Sequence, residues 1–536
     1  MKPKPLKAIT IITAASSTAA AAPCTKDAFN LPNASIDTIS HHQNNTTIPL
    51  PLTVDSCGGP TFQANVTNTI CRLVVNISTT PTSTVRIEAW LPDAEAWNGR
   101  LLATGTGGEG GCIDYATVQN GAQLGFASFG TNAGHDGSEG YEFFLGKPEV
   151  INDFGYRAVH VEAQVGKEVV EQYYGRKPEK SYYQGCSTGG RQGLQSAQLY
   201  PGDFDGIIAG APGINWLRIV ASKGILARRI GWPYIHSAAY VRPEQWAAIV
   251  EKQVEDFDPL DGVVDGIIDD PTLYSFDPEI LACGTGLLND SLCLSAAQVQ
   301  SVRAAYLPIA DSTGQIVYPA FGLGADTSVF SDNQVDGKPE LAYTILQDFW
   351  RGAVYNDSTW TPHNFSIADM DNALKINPGR VNAGNPDLGE FYKKGGKIIS
   401  YHGHCDETVT PRLSMEYYVS VQAALNLTLR EIHSFYRLFW VPGMHHCSGG
   451  PGASDFGQSY PLDSRALSPD RNVLMALVEW VESDTAPEIL VGTKYGDDDV
   501  TKIQSQRKHC YYPNRSVWDG SGEPSAAGSW NCKGPA

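Results

Sequence analysis

The sequence predicts an α/β fold, a sheet of strands alternating with helices and interrupted by one long insertion. Three observations predict it. Strand-like and helix-like stretches alternate as far as Pro212 and again from about Gly395, the pattern of an α/β sheet. The stretch between loses that alternation and breaks into loops rich in Asp, Gly, Pro and Trp, with short helices. At 536 residues the chain also exceeds one ordinary domain, so length alone predicts a large core with a substantial insertion, or two domains.

The chain opens on "MKPKPLKAITIITAASSTAAAAPC". A lysine-bearing start, a short apolar run and a small-residue stretch have the layout of a secretory signal, residues 1–22, cleaved near Ala22. The run is too short and too alanine-rich to span a bilayer. No later segment reads as a transmembrane helix, so a secreted, soluble protein with no membrane partner is expected. "TVRIEAWLP" (84–92) and "RLLATGTGG" (100–108) read as strands, the second running into glycines. "YRAVHVEAQVGKEVVEQYYG" (156–175) places apolar residues at helical spacing, "KSYYQG" is β-like and "RQGLQSAQLYP" helix-like. "FDGIIAGAP" (204–212) is the next strand. After the break come the strands "GGKIISYHG" (395–403) and "YRLFWVPG" (436–443), then the helix "NVLMALVEWVES" (472–483). The expected organisation is one α/β domain, residues 23–212 and 395–536, with 213–394 inserted.

Ten Asn-x-Ser/Thr sequons, at Asn33, Asn44, Asn45, Asn65, Asn76, Asn289, Asn356, Asn364, Asn426 and Asn514, argue for a secreted glycoprotein by their density beside a signal. A formal charge of −19 excludes nucleic acid as a natural partner, because its phosphates would be repelled. Eleven cysteines in an exported chain should mostly pair, with at least one left over. Cys283 with Cys293 and Cys510 with Cys532 would close local loops, and Cys24, Cys57, Cys71 and Cys112 would pair among themselves. That leaves Cys186, Cys405 and Cys447, one of which must stay free.

Gly185-Cys186-Ser187-Thr188-Gly189 fits G-x-S-x-G and lies between a predicted strand and a predicted helix. The bare pattern is common by chance, but this is its required context. In an α/β-hydrolase fold, small flanking residues let a sharp strand-to-helix turn hold the serine exposed, so Ser187 is the candidate nucleophile. Such a serine needs a base and an orienting carboxylate, in the chain order Ser, Asp, His. "SYHGHCDETVTP" supplies Asp406 just past one strand and "VPGMHHCSGG" supplies His446 just past the next, on the sheet edge that carries Ser187. Glu407 is a competing carboxylate; His445, His402, His404 and His135 are competing bases. For the oxyanion, Thr188 supplies one backbone N–H and the glycine loop "GTGGEGG" (105–111) another, with Gly108 favoured over Gly107. No Lys-Ser/Thr follows that loop, so it does not read as a phosphate loop.

A second motif is "DFDPLDGVVDGIIDDP" (256–271). Asp258, Asp261 and Asp265 recur among glycines, so their carboxylates can converge with the carbonyls of Val263 and Ile267 on a hard cation such as Ca²⁺. The spacing is not that of an EF-hand, and a solvated acidic loop is the equal alternative.

With these residues in hand, the chain resembles the fungal tannase and feruloyl esterase family of secreted serine esterases. "WNGRLLATGTGG" resembles its oxyanion loop, "GCSTGGRQGL" its nucleophile elbow, "LDGVVDGIIDDP" its lid calcium loop and "HC" at 446–447 its terminal pair. The resemblance implies an α/β-hydrolase domain with 213–394 as lid, Ser187 as nucleophile, His446 as base and Asp406 as orienter. It implies a Cys186–Cys447 disulfide, which leaves Cys405 as the free thiol. It also implies structural Ca²⁺ on Asp258, Asp261, Asp265, Val263 and Ile267. Cys405, directly before Asp406, departs from the family pattern. Bacterial mono-hydroxyethyl terephthalate hydrolases are similar too.

The expected reaction is acyl transfer, and the resemblance implies small aromatic esters or feruloylated polysaccharide as substrate, hydroxycinnamoyl esters first and galloyl esters second. "FWRGAVYNDSTW" (349–360) offers Phe349, Trp350, Tyr355 and Trp360 for an acyl pocket, although core packing is expected of most of them. A catalytically inactive hydrolase fold used for binding is the rival from another class, and a peptidase on the same scaffold is a further enzyme rival.

Overall fold

The structure, a computed structural model, describes residues 21–234, 236–325, 344–458 and 467–534, with two short strands at 334–335 and 338–339. Nearly all of the expected signal, residues 1–20, lies outside the described residues. The centre is a nine-stranded sheet of β1 (Ala34–His42), β2 (Ile70–Thr80), β3 (Ser83–Pro92), β4 (Arg100–Thr104), β5 (Ala127–Thr131), β6 (Lys180–Cys186), β7 (Gly206–Gly210), β8 (Lys397–Gly403) and β9 (Tyr436–Val441). In space the order is β1-β2-β3-β5-β4-β6-β7-β8-β9. The pairs from β1 to β5 are antiparallel. Every later pair is parallel, so β4, β6, β7, β8 and β9 all end on one edge. This is the α/β-hydrolase arrangement predicted from the sequence.

The helices that matter here are α1 (Tyr115–Gln123), α2 (Ala158–Tyr174), α3 (Thr188–Leu199), α4 (Trp216–Arg229), α5 (Arg412–Ala424) and α6 (Val473–Ser483). Parallel strands covered on both faces read as continuous apolar runs, and β7, "GIIAG", is buried at all five positions. Successive strand residues point to opposite faces. Tyr182, Ile208, Ile399 and Phe439 therefore pack with Leu474, Leu477 and Trp480 of α6. Their neighbours Tyr183, Ile207, Ile398 and Leu438 pack in a larger cluster with Val169 and Val170 of α2 and Leu194 of α3. Gly175, left-handed at φ 71°, ends α2 as a helix C-terminus prefers.

The strand expected over 100–108 stops at Thr104, because Gly108 and Gly110 take positive φ (54° and 90°) and turn the chain into a loop. The helix expected from 156 begins earlier, as a wide turn over Asp153–Arg157. Asp153 there accepts hydrogen bonds from Thr79 and Ser83, which lie far away in sequence. Strands β1, β2 and β5 and the C-terminal strand pairs at Ile489–Tyr495, Ile503–Cys510, Arg515–Trp518 and Trp530–Lys533 were not anticipated.

The long connection from β7 to β8 is the segment expected as a lid, and its aromatic residues join the main core. Phe349 packs against Trp216, Phe144 and Phe154, and Phe349 and Trp350 are fully buried. Core packing is thus their role. Five disulfides pair Cys24–Cys71, Cys57–Cys112, Cys186–Cys447, Cys283–Cys293 and Cys510–Cys532. Cys405 is free and buried, and burial pushes its thiol up to about 12, which makes it unreactive.

Candidate active site

Ser187 sits between β6 and α3 with φ 61° and ψ −121°, a conformation an L-residue adopts only when its surroundings enforce it. The enforcement is packing. A side chain on Gly185 would meet the Gly189 backbone at 2.7 Å, and one on Gly189 would crowd the Thr106 carbonyl at 3.1 Å. Ser187 is also held through its backbone: its N–H donates to Gly210, and its carbonyl accepts from Arg191 and Gly213.

Asp406 follows β8 and is fully buried. Its Oδ1 accepts the backbone N–H groups of Thr408 (2.8 Å) and Val409 (2.7 Å). Its Oδ2 accepts His446 Nδ1–H at 2.8 Å and His402 Nε2–H at 3.0 Å. His402 Nε2 also reaches the Val409 carbonyl; two acceptors require that this nitrogen carry the proton, so Nδ1 accepts from Ser414 Oγ. Burial opposes ionisation of Asp406, but the two imidazoles outweigh it and hold the carboxyl well below the usual range. Burial likewise disfavours charge on His446, yet Asp406 and then Glu407 raise it above its ordinary value. With Nδ1 committed, Nε2 is the nitrogen left for a nucleophile.

Of the competing residues, His402 backs the carboxylate, His404 bonds the Asp269 carbonyl and His135 stacks on Phe143. Glu407 does not replace Asp406 against the imidazole; its Oε2 accepts the His446 backbone N–H at 3.3 Å. The support from His402 was missed in the sequence, although its position four residues before Asp406 could have suggested it.

Thr188 opens α3, so its N–H has no acceptor within the helix. Its hydroxyl donates to the Gly108 carbonyl at 2.6 Å and accepts from Trp216 Nε1 at 3.3 Å, tying the glycine loop to the elbow. Ser187, His446, Gly107, Gly108, Tyr401, Asn120, Gln184 and Ile345 line one cavity of about 570 Å³, a size suited to a small organic ligand. A serine on a strained turn, an imidazole backed by a buried carboxylate and unpaired N–H groups can together carry out nucleophilic acyl transfer.

The acidic loop lies in the inserted segment. Asp258 is buried, and its two oxygens accept the N–H groups of Asp265 (3.2 Å) and Gly266 (2.9 Å). Asp261 and Asp265 accept from Val263 and Ile267. Burial pushes Asp265 up to about 6, with Asp258 and Asp261 adding to the rise against Arg507. An oxygen-only set in which carboxylates repel one another suits a hard divalent cation. Among the described residues, however, no three His, Cys, Asp or Glu side chains form a metal-ligating group; Asp258, Asp261 and Asp265 turn their oxygens to the loop's own N–H groups.

Fold and site together define an esterase of the α/β-hydrolase fold. The family model "Tannase and feruloyl esterase" matches residues 71–533. The chain is 37% identical over 506 residues to the protein named "Probable feruloyl esterase B-2" of Aspergillus oryzae, covering 94% of both. It is 36% identical over 504 residues to "Probable feruloyl esterase B" of Emericella nidulans, covering 94% of this chain and 93% of that one. It belongs to the tannase and feruloyl esterase family, whose members are carboxylic ester hydrolases. The crystal structure of feruloyl esterase B from Aspergillus oryzae superposes with a TM-score of 0.88 at 35% identity, covering 95% of this chain and 98% of that one. Tannin acyl hydrolase from Aspergillus niger shares the fold at a TM-score of 0.74 and 21% identity, covering 94% and 92%.

Proposed function

We propose that Ser187, His446 and Asp406 form the catalytic triad of a secreted serine esterase acting on hydroxycinnamoyl esters. What carries the reading is the meeting, in one cavity, of a serine on a strained elbow and an imidazole whose Nδ1–H is committed to a buried carboxylate. Ser187 Oγ attacks the ester carbonyl carbon as His446 Nε2 takes its proton. The N–H groups of Thr188 and Gly108 receive the oxyanion. Collapse expels the alcohol, which takes the proton from His446. Water, activated by the same imidazole, then releases the acid from the acyl-enzyme and returns the proton to Ser187. Asp406 fixes the tautomer and stabilises the imidazolium.

The relatives named as feruloyl esterases support the substrate class. So does a cavity lining that mixes Ile113, Ile345 and Tyr401 with Asp114, Asn120 and Gln184, suited to an aromatic ring bearing hydroxyls. Galloyl esters are the second reading, because the family also carries the tannase name. Five disulfides and ten sequons whose asparagines are all at least partly exposed support secretion as a glycoprotein. Among the described residues no helix is long and apolar enough to cross a membrane. A calcium ion on Asp258, Asp261, Asp265 and the carbonyls of Val263 and Ile267 belongs to the same proposal, as a staple within the inserted segment that takes no part in the chemistry.

Hydrolysis of methyl ferulate, caffeate, p-coumarate, sinapate and gallate, with Ser187→Ala as control, tests the reading. The highest kcat/KM is expected on a hydroxycinnamate, with no turnover by the variant. A preference for gallate would move the assignment to tannase. Failure of a fluorophosphonate to label Ser187 would favour a binding protein.

A further inference from the structure

Lys223, on α4 in the inserted segment, is 1% exposed, a burial that lysine rarely reaches unless paired. Its Nζ donates to the backbone carbonyl of Glu407 at 2.8 Å and lies 4.2 Å from the centre of the Phe321 ring. Glu407 continues the path: its Oε2 accepts the backbone N–H of His446 at 3.3 Å. A chain of contacts thus runs from the inserted helix, through the residue beside Asp406, to the base, separate from the bond between His446 and Asp406.

We propose that Lys223 and Glu407 are positioning residues for His446: Lys223 anchors the acid loop by the Glu407 carbonyl, Glu407 anchors the base by its backbone amide, and the ammonium balances the carboxylates beside the imidazole. This rests on His446 being the base. The charged and titratable groups around it are Asp406 and Glu407 on the acid loop, Lys223 from α4, His402 from β8 on the same Asp406 oxygen, and His445 next along the chain. Two adjacent carboxylates stabilise imidazolium. Uncompensated, they would hold the proton that His446 must return to the leaving alcohol. Lys223 acts in the opposite sense, lowering His446 where Asp406 and Glu407 raise it. The compensation is mutual: burial pulls Lys223 down to about 7, while Asp406 and Glu407 favour its charged form. Burial and Asp406 raise Glu407 as well, and Lys223 carries its charge below about pH 7, so it is on the acid limb that the ammonium offsets negative charge beside the imidazole.

The test is the pH profile of kcat/KM on a 4-nitrophenyl ester for wild type, Lys223→Met, Lys223→Arg, Glu407→Gln and Ser187→Ala, with folding checked by near-UV circular dichroism. Lys223→Met is expected to move the acid limb up by about half a pH unit or more, and Glu407→Gln to move it down by a similar amount, as expected for removing a like and an opposite charge. Lys223→Arg should return the limb toward wild type. Opposite shifts are a signature that loss of packing alone would not produce. Limbs that coincide with wild type, or that move together, overturn the proposal; if Lys223→Met does not fold, an unshifted Glu407→Gln overturns it alone. Activity surviving in Ser187→Ala overturns the triad and this proposal with it, whereas an inactive Ser187→Ala beside unshifted limbs overturns only the proposal.

Discussion

Cys186 and Cys447 are joined by a disulfide with Cα atoms 5.9 Å apart, across a sequence separation of 261, and they are the chain neighbours of Ser187 and His446. Ser187 has φ 61° and Cys447 φ 69°, so strained backbone stands at both ends of the bond. The bridge spans the whole inserted segment and holds the elbow of β6 against the loop after β9. Elbow and base therefore cannot drift apart without deforming a covalent link.

Replacing both cysteines, Cys186→Ala with Cys447→Ala, is expected to lower kcat by about 10- to 100-fold, because small misplacements of reacting groups are costly. Loop-closure entropy over so long a segment sets a stability loss of about 5 kcal/mol as an upper figure. Assays and thermal melts of the double variant check both, and mild reduction of the wild type should cut turnover before the fold melts. Unchanged kcat in the double variant would refute the positioning role.

Asp406→Asn is expected to reduce kcat by on the order of 10³- to 10⁴-fold. The carboxylate accepts from Thr408, Val409, His446 and His402; an amide would turn its NH₂ toward one of these donors and lose the imidazole's fixed tautomer. The mismatch in a buried site should also cost about 1–3 kcal/mol of stability. Steady-state kinetics with denaturant unfolding separates the two effects. A variant within tenfold of wild type would remove Asp406 from the triad.

Much of this site was legible in the sequence, for identifiable physical reasons. A serine on a sharp turn needs small neighbours, so Gly185 and Gly189 announce it, and strands ending at Gly403 and Val441 bring Asp406 and His446 to the edge where β6 ends. What could not be read depends on contacts distant in sequence. Strand β1 pairs antiparallel with β2 from His42–Ile70 to Ala34–Ile77, across a connection that shows no tight turn to betray the pairing. The wide turn at Asp153 is set by Thr79 and Ser83. Lys223, in "LRIVASKGILARR", looks like an ordinary surface lysine, since its partner Glu407 is 184 residues away.

Thr188→Val removes the hydroxyl that links α3 to the Gly108 carbonyl but keeps the N–H assigned to the oxyanion. The glycine loop loses its tie to the elbow while the nucleophile and base are untouched. A fall in kcat of about tenfold with little change in KM is expected, because only binding of the transition state depends on that loop's position. Equal losses in kcat/KM and kcat would show this; a raised KM alone would place Thr188 in ground-state binding instead.

The pH dependence follows from His446. The base must be neutral to take the Ser187 proton, and Asp406 and Glu407 raise it above its ordinary 6.5 against the effect of burial. Activity should therefore be full above that raised value and be lost as pH falls through it, so the acid limb of kcat/KM lies above pH 6.5. A limb well below it, measured on an ester stable across the range, would contradict the pairing of His446 with Asp406.

Chelation tests the acidic loop. If Asp258, Asp261 and Asp265 hold calcium in the folded state only, an ion at 100 times its Kd adds about 2.7 kcal/mol to stability. Removing it should lower Tm, and restoring calcium should recover the loss; magnesium should recover less, since it demands a tighter octahedral shell than a loop of backbone-tethered carboxylates offers. The loop is in the inserted segment and its carboxylates already bond their own backbone, so kcat at temperatures well below Tm should stay near wild type. Asp265→Asn should lower Tm in calcium and abolish the response to chelator. A Tm indifferent to both chelator and calcium would leave Asp258, Asp261 and Asp265 as a turn held by its own hydrogen bonds.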